Sequence, residues 1–247
     1  MQAIILAAGV GKRLKPLTDE RPKCLIKIGG KTLLARYLDV LERLDIKDIT
    51  FVLGHLKDMV LEEINTLSKN RGLRFHYLIN EGYENGSITS LWVARDRLGE
   101  GTLIMDADVL FHPALLEKLV RSPKASCFLM EGDFRDTGEE MKLFIQDERV
   151  IAISKKNKAQ TPLVGEGVGF LKLSSEHAPA LKKALEDLVN EGRLDAEYEE
   201  AIDRCLDRSD MGFERVDGLP WIEIDFSEDI ERAEKEILPR LKESQQP

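Results

Sequence analysis

Four short apolar runs, at residues 2–6, 49–53, 73–79 and 102–106, are each separated from the next by a segment whose apolar residues recur at helical spacing. In 31–44 the recurring residues are Leu33, Leu34, Tyr37, Leu38, Leu41 and Leu44; in 57–67 they are Met59, Val60, Ile64 and Leu67. A third helix is predicted at 88–98, and a fourth at 113–120, where Pro113 suits the first helical turn. Strands alternating with helices at this interval pair in parallel through right-handed crossovers, so the first half predicts an α/β layer structure. The rhythm changes after about residue 126. Strands are predicted at 127–131, 142–146, 150–154 and 168–173 with short connections, which suits a small antiparallel lobe. Helices follow at 175–190 and 196–206, then a last strand at 221–225 and a helix at 227–238.

The 247 residues are 43% hydrophobic and 33% charged, enough apolar material for one sizeable core. A formal net charge of −9 argues against nucleic acid as a partner, although a few lysines gathered in one pocket would still serve a small polyanion. The apolar runs are far shorter than the ~20 residues of a membrane span, so no membrane insertion is expected. The chain enters a strand at once without a basic leader, which predicts a cytoplasmic location. Cys24, Cys127 and Cys205 are widely spaced and odd in number, and His55, His76, His112 and His177 are equally scattered. Neither set has the spacing of a disulfide framework or a zinc site.

The first strand runs into a glycine turn, Leu6-Ala7-Ala8-Gly9-Val10-Gly11-Lys12-Arg13, followed by Pro22-Lys23. A backbone turning through glycines exposes N–H groups that can face an anion. Lys12, Arg13 and Lys23 add positive charge within the same loop, and together these features describe a polyphosphate cradle. The spacing is not that of the P-loop, since Arg13 follows Gly11-Lys12 where Ser or Thr is needed. It is not the dinucleotide fingerprint either, because Leu14 stands where the third glycine belongs.

LAAGVGKRLKPLTDERPKCL resembles the signature of the nucleotidyltransferase family that makes nucleotide sugars and CDP-alcohols. Four later segments resemble its bacterial phosphocholine and 2-aminoethylphosphonate cytidylyltransferase branch: GSITSLW (86–92), MDADVLF (105–111), EMKL (140–143) and PWIEIDFSED (220–229). The resemblance implies a Rossmann-like fold, a mainly parallel sheet flanked by helices. It also implies Mg²⁺-dependent transfer of a nucleoside monophosphate, CMP from CTP being favoured, to a small phosphorylated alcohol or phosphonate, with release of pyrophosphate. A single domain over residues 1–240 is expected, its nucleotide half at 1–125 and its acceptor half at 126–240. Residues 241–247 are expected to be a frayed tail.

Asp106 and Asp108 lie two apart at the end of a predicted strand, on one face, where open α/β sheets bind ligands. Asp225 ends the last predicted strand, with Glu223 on the same face. By the resemblance, Asp108 and Asp225 form the Mg²⁺ pair, Lys23 and Arg13 carry catalysis, and the nucleotide is held by Leu6, Ala7, Ala8, Gly9, Gly11, Lys12, Arg13, Lys23, Gly86, Ser87, Ser90 and Asp106. Lys142 matches a lysine of the branch. As a phosphate contact it joins Glu166, Glu197 and Tyr198 in the expected acceptor set, with Glu199 a further candidate, since a cationic head is suited by carboxylates and an aromatic face. A simpler role for Asp225 is to cap the following helix with Glu228 as its partner, and Ser87 equally suits a cap. Two other functions stay open: a sugar-1-phosphate nucleotidyltransferase, and a non-catalytic nucleotide-binding regulatory protein.

Overall fold

The computed structural model describes residues 1–243 apart from Asn70, Glu100, Ala159, Gln160, Pro162 and Asp217. Its first half comprises β1 (Gln2–Ala7), α1 (Leu17–Glu20), β2 (Lys27–Ile28), β3 (Lys31–Thr32), α2 (Leu33–Arg43), β4 (Asp48–Leu53), α3 (Lys57–Leu67), β5 (Arg74–Ile79), α4 (Ile88–Val93), β6 (Thr102–Asp106), β7 (Val109–Phe111) and α5 (Pro113–Arg121). The second half adds β8 (Ser126–Glu131), β9 (Lys142–Gln146), β10 (Arg149–Ser154), β11 (Leu163–Leu173), α6 (Ala178–Asn190), α7 (Tyr198–Leu206), β12 (Met211–Arg215), β13 (Trp221–Glu223), α8 (Ser227–Arg232), a π-helical turn (Ala233–Ile237) and α9 (Leu238–Glu243).

The main sheet runs β10-β9-β11-β6-β1-β4-β5, with β8 on the other side of β11 and β12 beyond β8. β5, β4, β1 and β6 are parallel, as is the β8–β12 pair, while β9, β10 and β11 are antiparallel to their neighbours. Alternation along the strands sets the layers. Ala3, Ile5, Phe51 and Met105 join the cluster formed with α2, α3 and α5. Ile4, Val52 and Ile104 join the opposite cluster, with α4, α6 and α7. Each of these side chains other than Ala3, taken fully out of water, contributes about 1.5–3 kcal/mol. A third cluster packs Leu14, Ile26 and Leu33 against Ile222, Ile224, Ile237 and Leu241, so the C-terminal segment clamps the glycine-rich opening.

β11 is the strand on which the two halves meet. Its first residues pair with β9 and its last with β6, and a register shift against β8 lies between Gly167 and Leu171. Gly169 has φ +80°, and a Cβ there would stand 2.6 Å from Asp106 Oδ2. Only glycine both takes that conformation and clears the carboxylate.

The predicted elements are present with shifted ends. The first long helix starts at Leu33, because the Thr32 hydroxyl accepts from the Ala35 amide at 3.1 Å and caps it. The helix expected at 88–98 stops at Val93 and continues as a 3₁₀ turn, and the one expected at 227–238 is interrupted by the π turn. β12 and the short β2–β3 and β7–β13 pairs were not predicted. α9 runs to Glu243 and buries Leu241, and residues 244–247, the rest of the expected tail, lie outside the described residues. No described helix is long and apolar enough to cross a membrane.

Candidate active site

Two short strands bring the acidic residues together. β13 pairs antiparallel with β7, placing Glu223 opposite Val109, and the Ile224 amide donates to the Asp108 carbonyl at 3.0 Å. The turn carrying Asp108 is pinned from beneath by fully buried Tyr37, which donates to the Asp106 carbonyl at 2.7 Å and accepts from the Val109 amide at 3.2 Å. Asp225 follows directly, and it is not the helix cap. Asp229, in the first turn of α8, accepts from the Asp225 and Phe226 amides at 3.0 and 2.8 Å. The Asp225 carboxylate is therefore left to face Asp108. Carboxylate oxygens of Asp108, Glu223 and Asp225 all lie within 4.8 Å of one another. Glu223 thus joins the pair drawn from the sequence.

Two cations of the opening loop answer this charge. Lys23 donates to Asp108 at 3.0 Å and to Asp225, and Arg13 donates to Asp225 and to Glu139, the latter at 2.7 Å. The guanidinium also lies 4.9 Å from the Phe226 ring centroid, within cation–π range. Burial works against the Lys23 ammonium, but Asp108 and Asp225 outweigh it and the net displacement of its pKa is upward. Burial likewise opposes the Asp225 carboxylate, yet Lys23 and Arg13 hold it below its ordinary value. At Glu223 burial, then Asp108 and Asp225, push the carboxyl well above its ordinary range against a weaker opposing pull from Lys23. Three oxygen-donor residues at this separation, with no sulfur or imidazole among them, fit a hard divalent cation such as Mg²⁺.

A cavity of about 470 Å³ opens over the C-terminal end of β1, and all twelve residues assigned above to the nucleotide line it, from Leu6 to Asp106. Gly11 takes φ +66°, and its carbonyl accepts from Thr18 at 2.8 Å, which closes the turn. Gly86, Ser87 and Ser90 face this cavity, but their polar groups are engaged inside the protein. The Gly86 amide donates to the Leu194 carbonyl at 2.8 Å, Ser87 Oγ accepts from the Tyr198 amide at 2.9 Å, and Ser90 Oγ accepts from Asn80 at 3.0 Å. A Cβ on Gly86 would fall 2.0 Å from the Ala196 carbonyl oxygen, so this glycine marks a close backbone approach. Tyr83, Glu84 and Asn85, absent from the sequence prediction, line the same wall.

An inner cavity of about 240 Å³ adjoins the first and shares Arg13, Lys23, Ser87, Asp106, Asp108 and Glu197 with it. Its wall adds Phe128, Phe170, Tyr198, Glu199, Glu223 and Lys155. Lys155 pairs with Glu197 at 2.8 Å. Tyr198 is buried and donates to Asp106 Oδ2 at 2.9 Å, so its hydroxyl is already engaged. Burial, then Glu199 and Asp108, push Asp106 well above the carboxylate range; burial, then Glu197, push Glu199 up to about 7. The acceptor set drawn from the sequence does not stay together. Glu197 and Tyr198 line the inner cavity, whereas Glu166 lines a separate groove of about 900 Å³ that also meets Glu223 and Asp225. Lys142 lines none of the three: it is buried on β9 and paired with Asp136 at 2.8 Å. Glu199, a candidate from the sequence, lines the inner cavity with Glu197 and Tyr198, whereas Glu139 and Lys155 were missed because they lie on connections whose sequence carries no periodic signal for a site.

A model of the MobA-like NTP transferase domain matches residues 3–199. The CMP-5'-(3-aminopropyl)phosphonate synthase of Streptomyces rubellomurinus is 33% identical over 127 residues, 51% of this chain and 20% of that protein. The choline-phosphate cytidylyltransferase of Streptococcus pneumoniae is 27% identical over 237 residues, 95% of this chain and 97% of that one. The chain spans about half the length of the bifunctional IPC transferase and DIPP synthases it also matches. The solved structure of the inositol-1-phosphate CTP transferase from T. maritima superposes with a TM-score of 0.78 at 19% identity, covering 98% of this chain and 96% of that one; this likeness speaks to the fold alone. With the family model running over most of its length, this chain belongs to the MobA-like NTP transferase family.

Proposed function

We propose that this chain transfers CMP from CTP to a small acceptor that has a phosphate or phosphonate at one end and a cationic group at the other, releasing pyrophosphate. The observation that carries the acceptor class is the charge layout of the inner cavity. Lys23 and Arg13 stand at its junction with the nucleotide cavity, and Asp106, Glu199 and Glu223 crowd its wall. An ammonium head would draw those carboxyls back to their ionised form and pair with them, whereas a neutral sugar would leave them without a cation. The preference for CTP is supported by the likeness to relatives whose names specify CMP or cytidylyl transfer.

An acceptor phosphate is already anionic near neutral pH, so the reaction needs no general base. Catalysis then rests on alignment and on neutralising charge as it moves onto the leaving pyrophosphate. Gly9 and Gly11 shape the loop that cradles the triphosphate. Lys23 meets the α-phosphate or the attacking oxygen, and Arg13 the β- and γ-phosphates. Asp108 and Asp225, with Glu223 beside them, would hold Mg²⁺, which when bound supplies Lewis-acid neutralisation of the phosphate oxygens. Tyr37 and Asp229 keep those carboxylates in place by fixing the backbone on either side.

The test is pyrophosphate release with four nucleoside triphosphates against phosphocholine, 2-aminoethylphosphonate, phosphoethanolamine and glucose-1-phosphate. CTP with a cationic acceptor should give the highest kcat/KM. If UTP or dTTP with glucose-1-phosphate is best, the acceptor assignment falls; if no pair releases pyrophosphate, so does the transferase reading.

A further inference from the structure

We propose that Lys23 and Arg13 are exchangeable counter-ions of the carboxylate cluster, so that the nucleoside triphosphate and the divalent cation each open the site to the other. The inference rests on the function proposed above and adds a coupling between its two ligands. Lys23 spans Asp108 and Asp225, and Arg13 spans Asp225 and Glu139. The oxygens best placed to hold a divalent cation therefore already face an ammonium or a guanidinium. Lys23 is mostly buried, its side chain 17% exposed, so it has little water to retreat into. A divalent cation arriving alone must either displace it from both partners or lie beside it, like charge against like charge, in a partly desolvated site.

The same two residues line the cavity assigned to the nucleotide. A triphosphate there offers Lys23 and Arg13 new oxygens, and each contact it makes loosens a contact to Asp108 or Asp225. Arg13 can turn without losing every partner, because Glu139 lies on the segment joining β8 and β9 rather than in the cluster. Glu139 is thus a positioning residue for Arg13. By linkage, the factor by which nucleotide tightens metal binding equals the factor by which metal tightens nucleotide binding.

The experiment measures Mn²⁺ binding to the nucleotide-free protein by the loss of free-ion EPR signal, and α,β-methylene-CTP binding in EDTA by titration calorimetry. Without nucleotide, Lys23→Met should bind Mn²⁺ at least tenfold more tightly than wild type. Lys27→Met, which removes an equal charge from an exposed site on β2, should match wild type. In EDTA, Asp225→Asn should bind the analogue at least fivefold more tightly than wild type, and Asp58→Asn, exposed on α3, should not. If Lys23→Met keeps its circular dichroism spectrum yet gains nothing for Mn²⁺, the proposal is overturned. If that variant fails to fold, the Asp225→Asn arm decides by the same rule, since no gain for the analogue overturns it. Wild-type protein that binds both ligands while neither variant gains refutes the coupling alone. Wild-type protein that binds neither ligand refutes the function beneath it.

Discussion

Glu166 offers a sharp test of the electrostatics, because the fold places it against its own charge. It sits on β11 opposite Glu131 on β8 and opposite Lys142 on β9. Lys142 directs its ammonium to Asp136 instead. Burial, then Glu140 and Glu131, raise the Glu166 carboxyl from 4.5 to about 7, against a smaller opposing pull from Arg232. A displacement of about 2.5 pH units, at about 1.36 kcal/mol per unit, makes the ionised group cost the fold about 3 kcal/mol, or about 2 kcal/mol once partial exposure is allowed for. The sign follows from the direction. Below pH 4.5 the carboxyl is protonated both folded and unfolded, and no cost arises. Between 4.5 and 7 the unfolded chain ionises first, so the cost grows, and above 7 it is complete. Glu166→Gln should therefore raise the urea midpoint at pH 8 with an unchanged m-value, and raise Tm by about 4–8 °C. At pH 4.5 most of that gain should be gone. An equal gain at both pH values would refute the argument, since it would mean that the amide packs better rather than that a charge was removed.

Three further outcomes are expected. Lys23→Ala should lower kcat by roughly 10²-fold or more with a smaller change in the KM for nucleotide, measured by steady-state pyrophosphate release; an effect confined to KM would make Lys23 a uniform binding contact. Gly86→Ala should cost about 2–3 kcal/mol in urea unfolding, because the new methyl group meets the Ala196 carbonyl; an unchanged midpoint would mean that α7 shifts freely. If Glu199 must be ionised to hold a cationic acceptor, the acceptor KM should rise roughly tenfold from pH 8 to pH 6, and Glu199→Gln should abolish that dependence.

The parallel half of the sheet was legible because each buried strand there is a continuous apolar run with a helix behind it. The opening loop was legible because glycines with Lys12, Arg13 and Lys23 in the same short segment leave few other uses for the turn. The convergence of Asp108 and Asp225 was not derivable from pattern. It depends on the pairing of the predicted 221–225 strand with β7, whose three residues are too few for any periodicity to register. β12 escaped for a related reason, since its five residues alternate only weakly and carry a glycine. Gly86 and Ser87 were expected to read the nucleotide, and the structure shows them holding the backbone of the 194–198 segment. Lys142 was singled out by a four-residue match, but strand register turns it toward Asp136. A local motif gives the residue type; only the neighbouring strands decide which way it points.

The contact between 86–88 and 194–198 is made largely by main-chain atoms: Gly86 and Ile88 donate to the Leu194 and Ala196 carbonyls, and the Tyr198 amide donates to Ser87. Side-chain exchange along 194–197 leaves those bonds intact, so Glu197, which lines both cavities, can change while the backbone of the first cavity's wall stays where it is. Insertions and deletions act differently. One residue added between 190 and 198 would slide the carbonyls out of register and drag the wall of the first cavity with them. Substitution in this connection can therefore adjust a lining residue at a time, but changes of length must move the walls of both cavities at once.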